Sequence, residues 1–146
     1  MKKKIKKFII PIIIVLVFSI VYLFVIPTIK KKNATNNLFK NFEEGITKLE
    51  IKYEKKELDA SIFGANKAYS YTSNEKTIML YVYNTNSNYY KQGLKNGYID
   101  SKNNDESKLY GVMANNCVLY MESEFPHDTD VLELFQNLSK EYVEAL

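Results

Sequence analysis

The chain has 146 residues, a formal net charge of +3, one Cys, one His and no Trp. Eight lysines flank an apolar stretch near the N-terminus, whereas residues 33–146 carry twelve Lys and no Arg against seventeen acidic residues, a net charge of −5. This acidic portion has no basic cluster interleaved with aromatics, which is the usual signature of a nucleic-acid-binding protein. Nucleic-acid binding is therefore not expected.

The apolar stretch predicts a transmembrane signal anchor over residues 8–29. Residues 8–26 contain no charged side chain. At 1.5 Å per residue the whole segment covers about 33 Å, against a hydrocarbon thickness of about 30 Å. The lipid bilayer is therefore the first expected partner of this chain.

The lysines on either side of the anchor predict its orientation. Five lie in residues 1–7 and three lie in residues 30–32. The positive-inside rule therefore predicts a cytoplasmic lysine-rich tail and a C-terminal domain outside the cell membrane, in an extracellular location. A cleaved signal peptide is the alternative, but residues 25–30 contain no A-x-A-like pattern of small residues.

A short polar tether, residues 30–37, is expected between the anchor and an extracytoplasmic domain of residues 38–146. Apolar spacings of four, four and three then predict a helix, and an alternating pattern predicts a half-buried strand followed by a short helix. These three elements cover residues 38–49, 49–54 and 55–63.

Two β-hairpins are predicted in the rest of the domain. Residues 67–72 and 76–83 are β-rich runs joined by three turn-forming residues, and residues 109–114 and 117–122 form a second pair. An Asn-Asn dipeptide joins the second pair, and asparagine tolerates the positive φ angles of tight turns.

Each hairpin is followed by a predicted helix. Residues 86–96 form the first, which ends at Gly97, and the second follows Pro126. The apolar stripe of the second helix consists of Val131, Leu134, Phe135, Leu138 and Tyr142. The fold class predicted is α+β: an N-terminal transmembrane helix followed by one antiparallel sheet of two hairpins, with helices packed on one face.

Side chains suited to catalysis are few. His127 has Glu122 and Glu124 nearby in sequence, so a divalent-metal site is one interpretation and an exposed turn is the other. Cys117 lies in an apolar run, where a cysteine is usually a small buried hydrophobe, and a lone cysteine excludes an internal disulfide. A nucleophile pair of Cys117 and His127 is the remaining catalytic option. We predict a protein that is not an enzyme and has no cofactor or metal site.

Tyrosine is unusually frequent in the domain. The first hairpin contains Tyr69, Tyr71, Tyr81 and Tyr83. An apolar ring with a polar tip suits contact with a glycan, a peptide or a partner strand, so these four are the predicted binding residues. The alternative is that they are core rings whose hydroxyls reach the surface.

The lysine-flanked anchor is followed by the segment at residues 62–65, a strand that ends at residues 78–83, the run at residues 115–120 and a closing amphipathic helix. This order resembles that of small membrane-anchored or lipoprotein-like extracytoplasmic proteins of low-GC Gram-positive bacteria. Many of those are lipoproteins, whereas this chain lacks the anchoring cysteine. The resemblance implies an envelope location and a β-rich fold, and it implies no activity.

We therefore predict a single-pass membrane-anchored extracytoplasmic binding or accessory protein of the bacterial cell envelope, with a membrane or cell-wall protein as partner. The main alternative is a small envelope hydrolase or metal-dependent enzyme centred on His127. A pilin-like subunit is a weaker alternative, because no acidic residue precedes Glu43. The enzyme requires a concave site with convergent carboxylates, whereas the binding protein requires an exposed apolar or tyrosine surface.

Overall fold

The computed structural model describes residues 12–103 and 106–146 and confirms the α+β fold. The predicted tail at residues 1–7 and the first four residues of the predicted anchor lie outside the described residues. One continuous helix, α1 (Ile12–Lys48), comes first, and it includes a π-helical segment, Val21–Val25. Within the described part of the chain, α1 is the one helix long and apolar enough to span a membrane.

Seven strands and two further helices follow α1 in the described residues. The strands are β1 (Glu54–Glu57), β2 (Lys67–Ser73), β3 (Lys76–Val82), β4 (Ile99–Asp100), β5 (Lys108–Leu109), β6 (Val112–Ala114) and β7 (Cys117–Met121). The helices are α2 (Asn88–Asn96) and α3 (Asp128–Glu144), and a short 3-10 helix covers Ala60–Phe63. Five strands form one antiparallel sheet in the order β1-β2-β3-β7-β6, and β4 pairs with β5.

Both predicted hairpins form, and they supply four of the five strands of the sheet. The first strand of the second hairpin is shorter than predicted, because Leu109 belongs to β5 and pairs with Ile99. β2 and β3 are joined by a turn in which Asn74 and Glu75 have positive φ. β6 and β7 are joined by Asn115 and Asn116, whose φ angles of 49° and 64° are those expected of a tight turn. Pairing of β3 with β7 unites the two hairpins.

The central strands have two apolar faces, and different elements cover each of them. On one face, Ile78, Leu80 and Leu119 belong to the core formed with α1 and α3. On the other face, Tyr81 and Val118 belong to a smaller core with α2, the β4–β5 pair and the 3-10 helix. α1 and α3 therefore share one face, whereas α2, which was predicted on the same face, packs on the opposite one. The difference arises because both faces of the central strands are apolar and both must be covered.

The structure differs from the expected tether at residues 30–37. This segment is helical and belongs to α1, and Ala34 and Thr35 are buried. The asparagines of the segment lie on the exposed side of the helix, opposite the buried residues. The polar composition of the segment therefore gave no indication that one side of it is buried. Tertiary packing therefore decides the conformation here, which composition alone does not reveal.

The chain between α1 and β2 also differs from the expected elements. The strand expected at residues 49–54 is replaced by a turn at Glu50, which has a φ of 59°, and β1 follows it. Of the helix expected at residues 55–63, only the 3-10 helix forms, and Gly64 ends it in the left-handed conformation. All four residues of β1 are charged and exposed, which discourages pairing of this sheet edge with another chain.

Candidate functional site

The four tyrosines of the predicted binding surface lie on opposite faces of the sheet. Tyr69 and Tyr71 lie on the face that α1 covers, whereas Tyr81 and Tyr83 lie on the other. Tyr71, Tyr81 and Tyr83 are at most 4% exposed, and Tyr69 is half-buried. Three of the rings are therefore core residues, and the four do not form a common surface.

The hydroxyls of two buried tyrosines differ in their hydrogen bonding. Tyr71 donates a 3.1 Å hydrogen bond to a carboxylate oxygen of Glu43. Burial, and after it the charge of Glu43, raises the pKa of Tyr71. The hydroxyl of Tyr83 has no hydrogen-bond partner among the described residues, and burial raises its pKa as well. Both side chains are therefore neutral in the folded protein at ordinary pH.

His127, the centre of the alternative metal or catalytic site, lies just before α3. Its Nδ1 is 3.4 Å from a carboxylate oxygen of Asp130, and both side chains are more than half exposed. In residues 12–103 and 106–146, no group of three or more His, Cys, Asp or Glu side chains is placed to hold a metal ion. The histidine therefore makes one exposed contact at a helix terminus, which matches the exposed-turn interpretation.

Cys117 and His127 lie at opposite ends of the sheet. Cys117 pairs with Val82 at the end of β3, whereas His127 shares a pocket with Ser73 and Asn74 beside the start of β3. The length of β3 separates them, about 20 Å at roughly 3.3 Å per residue. Burial also raises the pKa of Cys117 to about 12, so its thiol is neutral at pH 7. These two side chains do not form a nucleophile pair.

A different pair of tyrosines is accessible next to the edge strand β6. The rings of Tyr98 and Tyr110 lie 5.7 Å apart, and Nζ of Lys108 lies 4.2 Å from the centre of the Tyr98 ring. Tyr110 is 54% exposed, and Val112 in β6 is 40% exposed. The pairing of β4 with β5 brings the two rings together, so sequence reasoning did not find this Tyr98–Tyr110 patch.

The junction between the two halves of α1 is the most distinctive feature of the chain. Residues 12–30 are exposed throughout, whereas six residues of α1 are buried in the domain. The first of the six is Ala34, four residues after Lys30, or about 6 Å along a helix axis. The folded domain therefore begins about one helical turn after the apolar segment, without an intervening loop.

The packing of β2 along α1 shows which end of the domain lies near the apolar segment. Lys67 at the start of β2 contacts Asn36, and Tyr71 further along β2 contacts Glu43. β2 therefore runs in the same direction as α1. The start of β2 and the end of β3 form what we call the anchor-proximal end, and the turn between these strands lies at the distal end.

A groove of about 300 Å³ opens at the anchor-proximal end, between α1 and the β2–β3 hairpin. Three lysines line it, Lys31 and Lys32 from α1 and Lys67 from β2. No acidic side chain lines this basic groove, and none of its lysines makes an ion pair within the described part of the chain. The groove therefore carries three uncompensated positive charges.

Asparagine side chains fix the walls of the basic groove. Asn36 accepts a 3.1 Å hydrogen bond from Nζ of Lys67, which also lies 5.3 Å from the centre of the Tyr69 ring. Asn66 donates a 2.8 Å hydrogen bond to Asn84, which links the start of β2 to the residues after β3. These partners orient Lys67 and leave its charge unneutralised.

Comparison with protein-family models, with curated proteins and with solved structures gives no match to this chain. Function is therefore inferred from three features of the molecule. They are the exposed apolar half of α1, the Tyr98–Tyr110 patch and the basic groove.

Proposed function

We propose that the chain is a single-pass membrane-anchored protein whose extracytoplasmic domain acts as a binding or accessory module of the bacterial cell envelope. The observation that carries this proposal is that one helix supplies both the apolar segment and part of the domain core. An exposed apolar helix of this length is stable in a bilayer and unfavourable in water. Anchoring also confines the domain to the membrane surface.

The lysine distribution supports an extracytoplasmic domain. Five lysines precede the apolar segment and three follow it, and the side with more lysines tends to stay in the cytoplasm. The same location is what a resemblance to extracytoplasmic proteins of low-GC Gram-positive bacteria would imply.

The Tyr98–Tyr110 patch supports a binding role. Exposed tyrosines contribute large, rigid contact area, and the adjacent edge strand β6 can accept an extended segment of a partner. A membrane or cell-wall protein is the proposed partner. The hydrolase alternative has no comparable support, since His127 contacts a single carboxylate and is more than half exposed.

Cysteine labelling tests the anchor and its orientation. Ser123→Cys places a thiol on an exposed residue at the distal end, and the wild-type chain is the matched control because Cys117 is buried. We expect a membrane-impermeant maleimide to label the variant, and not the wild type, in intact protoplasts. Labelling only after permeabilisation would reverse the topology. Release of the chain from membranes by alkaline carbonate would contradict the anchor.

Photo-crosslinking in protoplasts tests the binding role. A benzophenone amino acid replaces Tyr110 in the full chain, and the matched control replaces Lys56, an exposed residue of the opposite edge strand β1. We expect one discrete protein adduct from position 110 and none from position 56. Equal adducts from both positions, or none from either, would contradict a partner surface at the patch.

A further inference from the structure

The basic groove lies at the depth of the lipid headgroups if α1 spans a bilayer. Thr28 at the end of the apolar segment lines the groove, and Asn36 lines it seven residues beyond that segment, so the groove extends from the end of the segment to about 10 Å beyond it. The interfacial layer of a bilayer is about 5–8 Å thick on each side. We propose that the basic groove binds the phosphate of an anionic phospholipid headgroup, an inference that rests on the membrane anchoring proposed above.

The donors of the groove match the chemistry of a phosphodiester. Lysine ammonium groups donate strong charge-assisted hydrogen bonds to phosphate oxygens, and their flexible stems let Lys31 and Lys32 reach toward the headgroup layer. Lys67 comes from β2 and is held by Asn36, so the domain itself supplies one of the three charges. A volume of about 300 Å³ is at the lower end for ligand sites, which suits a headgroup and not a whole lipid.

The surroundings of the groove also favour an anion. A second groove adjoins it, shares Lys31 and Asn84, and is lined further by Thr, Asn, Ser and Tyr side chains of residues 85–89. These neutral hydrogen-bonding groups can contact the uncharged part of a headgroup. Glu141 in α3 lines a separate groove between α1 and α3, on a different side of α1.

A lipid titration of the full chain in neutral-detergent micelles tests the proposal. Native mass spectrometry measures the binding of phosphatidylglycerol and of phosphatidylcholine with identical acyl chains. The test variant is Lys67→Gln, and the matched control is Lys140→Gln. Lys140 is an exposed lysine two residues before Tyr142, whose contact with Thr35 places it at the anchor-proximal end, outside the groove. Lys67→Arg, which keeps the charge, serves as a second variant.

We expect the wild type to bind phosphatidylglycerol more tightly than phosphatidylcholine. Lys67→Gln should raise the Kd for phosphatidylglycerol about fivefold. Lys140→Gln and Lys67→Arg should leave the Kd near the wild-type value. If Lys67→Gln and Lys140→Gln weakened phosphatidylglycerol binding equally, the effect would come from bulk charge, and the proposal would be overturned. Equal affinity for the two lipids would overturn it as well. Displacement of the lipid by inorganic phosphate would assign the groove to a free anion instead.

The proposed anchoring and the proposed headgroup site can be contradicted independently of each other. If alkaline carbonate releases the chain from membranes, the proposed anchoring fails. If the chain stays in the membrane and shows no preference for phosphatidylglycerol, only the headgroup site fails.

Discussion

The hydroxyl of Tyr142 in α3 lies 3.5 Å from the hydroxyl of Thr35 in α1, a residue 107 positions earlier. Thr35 also donates a 3.0 Å hydrogen bond to the carbonyl oxygen of Lys31, one turn back along α1. The end of α3 therefore packs onto α1 directly beside the lysines that follow the apolar segment. This contact makes the junction between anchor and domain part of the folded core.

The stripe of α3 should contribute strongly to stability. Phe135 is 1% exposed and packs in the core shared by α1, α3 and the sheet. Phe135→Ala should lower the free energy of unfolding by about 3–5 kcal/mol, because the lost ring leaves a cavity. Chemical denaturation of the full chain in micelles measures this change. Glu133→Ala on the exposed side is the control, with an expected change below about 0.5 kcal/mol, and a similarly small effect at Phe135 would contradict the packing.

Gly111 should not tolerate a side chain. A Cβ at this position would lie 2.6 Å from the carbonyl oxygen of Leu119, a backbone atom that a rotamer change cannot move. Gly111→Ala should therefore destabilise the domain by about 2–3 kcal/mol in the same denaturation assay.

Gly97 provides the comparison for Gly111. A Cβ on Gly97 meets no described atom within 4 Å, but its φ is 79°. Gly97→Ala should therefore cost only about 1 kcal/mol, the strain of a left-handed residue. Equal stability of the Gly111→Ala and Gly97→Ala variants would contradict the close approach of Gly111 to β7.

Alkaline pH should destabilise the domain. Burial raises the pKa of Cys117 to about 12 from 9.0, and burial raises the pKa of Tyr71 and of Tyr83 above 10.0. As pH rises past these ordinary values, the unfolded chain releases protons that the folded chain retains. The free energy of unfolding should then fall by about 1.4 kcal/mol per pH unit for each group. Urea unfolding at increasing pH measures the decline.

The Cys117→Ala variant separates the thiol from the tyrosines. Without the thiol, the decline should begin near pH 10.0, the ordinary tyrosine value, instead of near pH 9.0. Stability that stays constant above these values would contradict the burial of all three groups.

The domain should fold without the anchor. None of residues 12–29 is buried, and the core begins at Ala34. Residues 30–146 alone should therefore be soluble, with mixed α and β circular dichroism and a cooperative unfolding transition. An unfolded fragment would show that the apolar half of α1 supports the domain.

Local patterns in the sequence predicted the first hairpin, the turn of the second hairpin and α3. The Asn115-Asn116 turn follows from the backbone preference of asparagine, and the stripe of α3 follows from helical spacing. The separation of the tyrosines follows from the strand register. Tyr69 lies opposite Leu80 and therefore shares its face, which leaves the neighbouring Tyr81 on the other face.

Features made by long-range packing could not be predicted in this way. Lys67 is 31 residues from Asn36, and Asn66 is 18 residues from Asn84, so no local spacing indicates the basic groove. The helical conformation of residues 30–37 likewise depends on burial of Ala34 and Thr35 within the domain core. Polar composition alone favoured a tether there.

The continuity of α1 from the apolar segment into the domain is tested most directly by a distance across the junction. Phe18→Cys and Asn41→Cys, both at exposed positions in a Cys117→Ala background, carry nitroxide labels for pulsed electron resonance in lipid nanodiscs. A continuous helix predicts a narrow distribution centred at about 35 Å, at roughly 1.5 Å per residue. A broad distribution, as a flexible segment at residues 30–37 would give, would contradict the account.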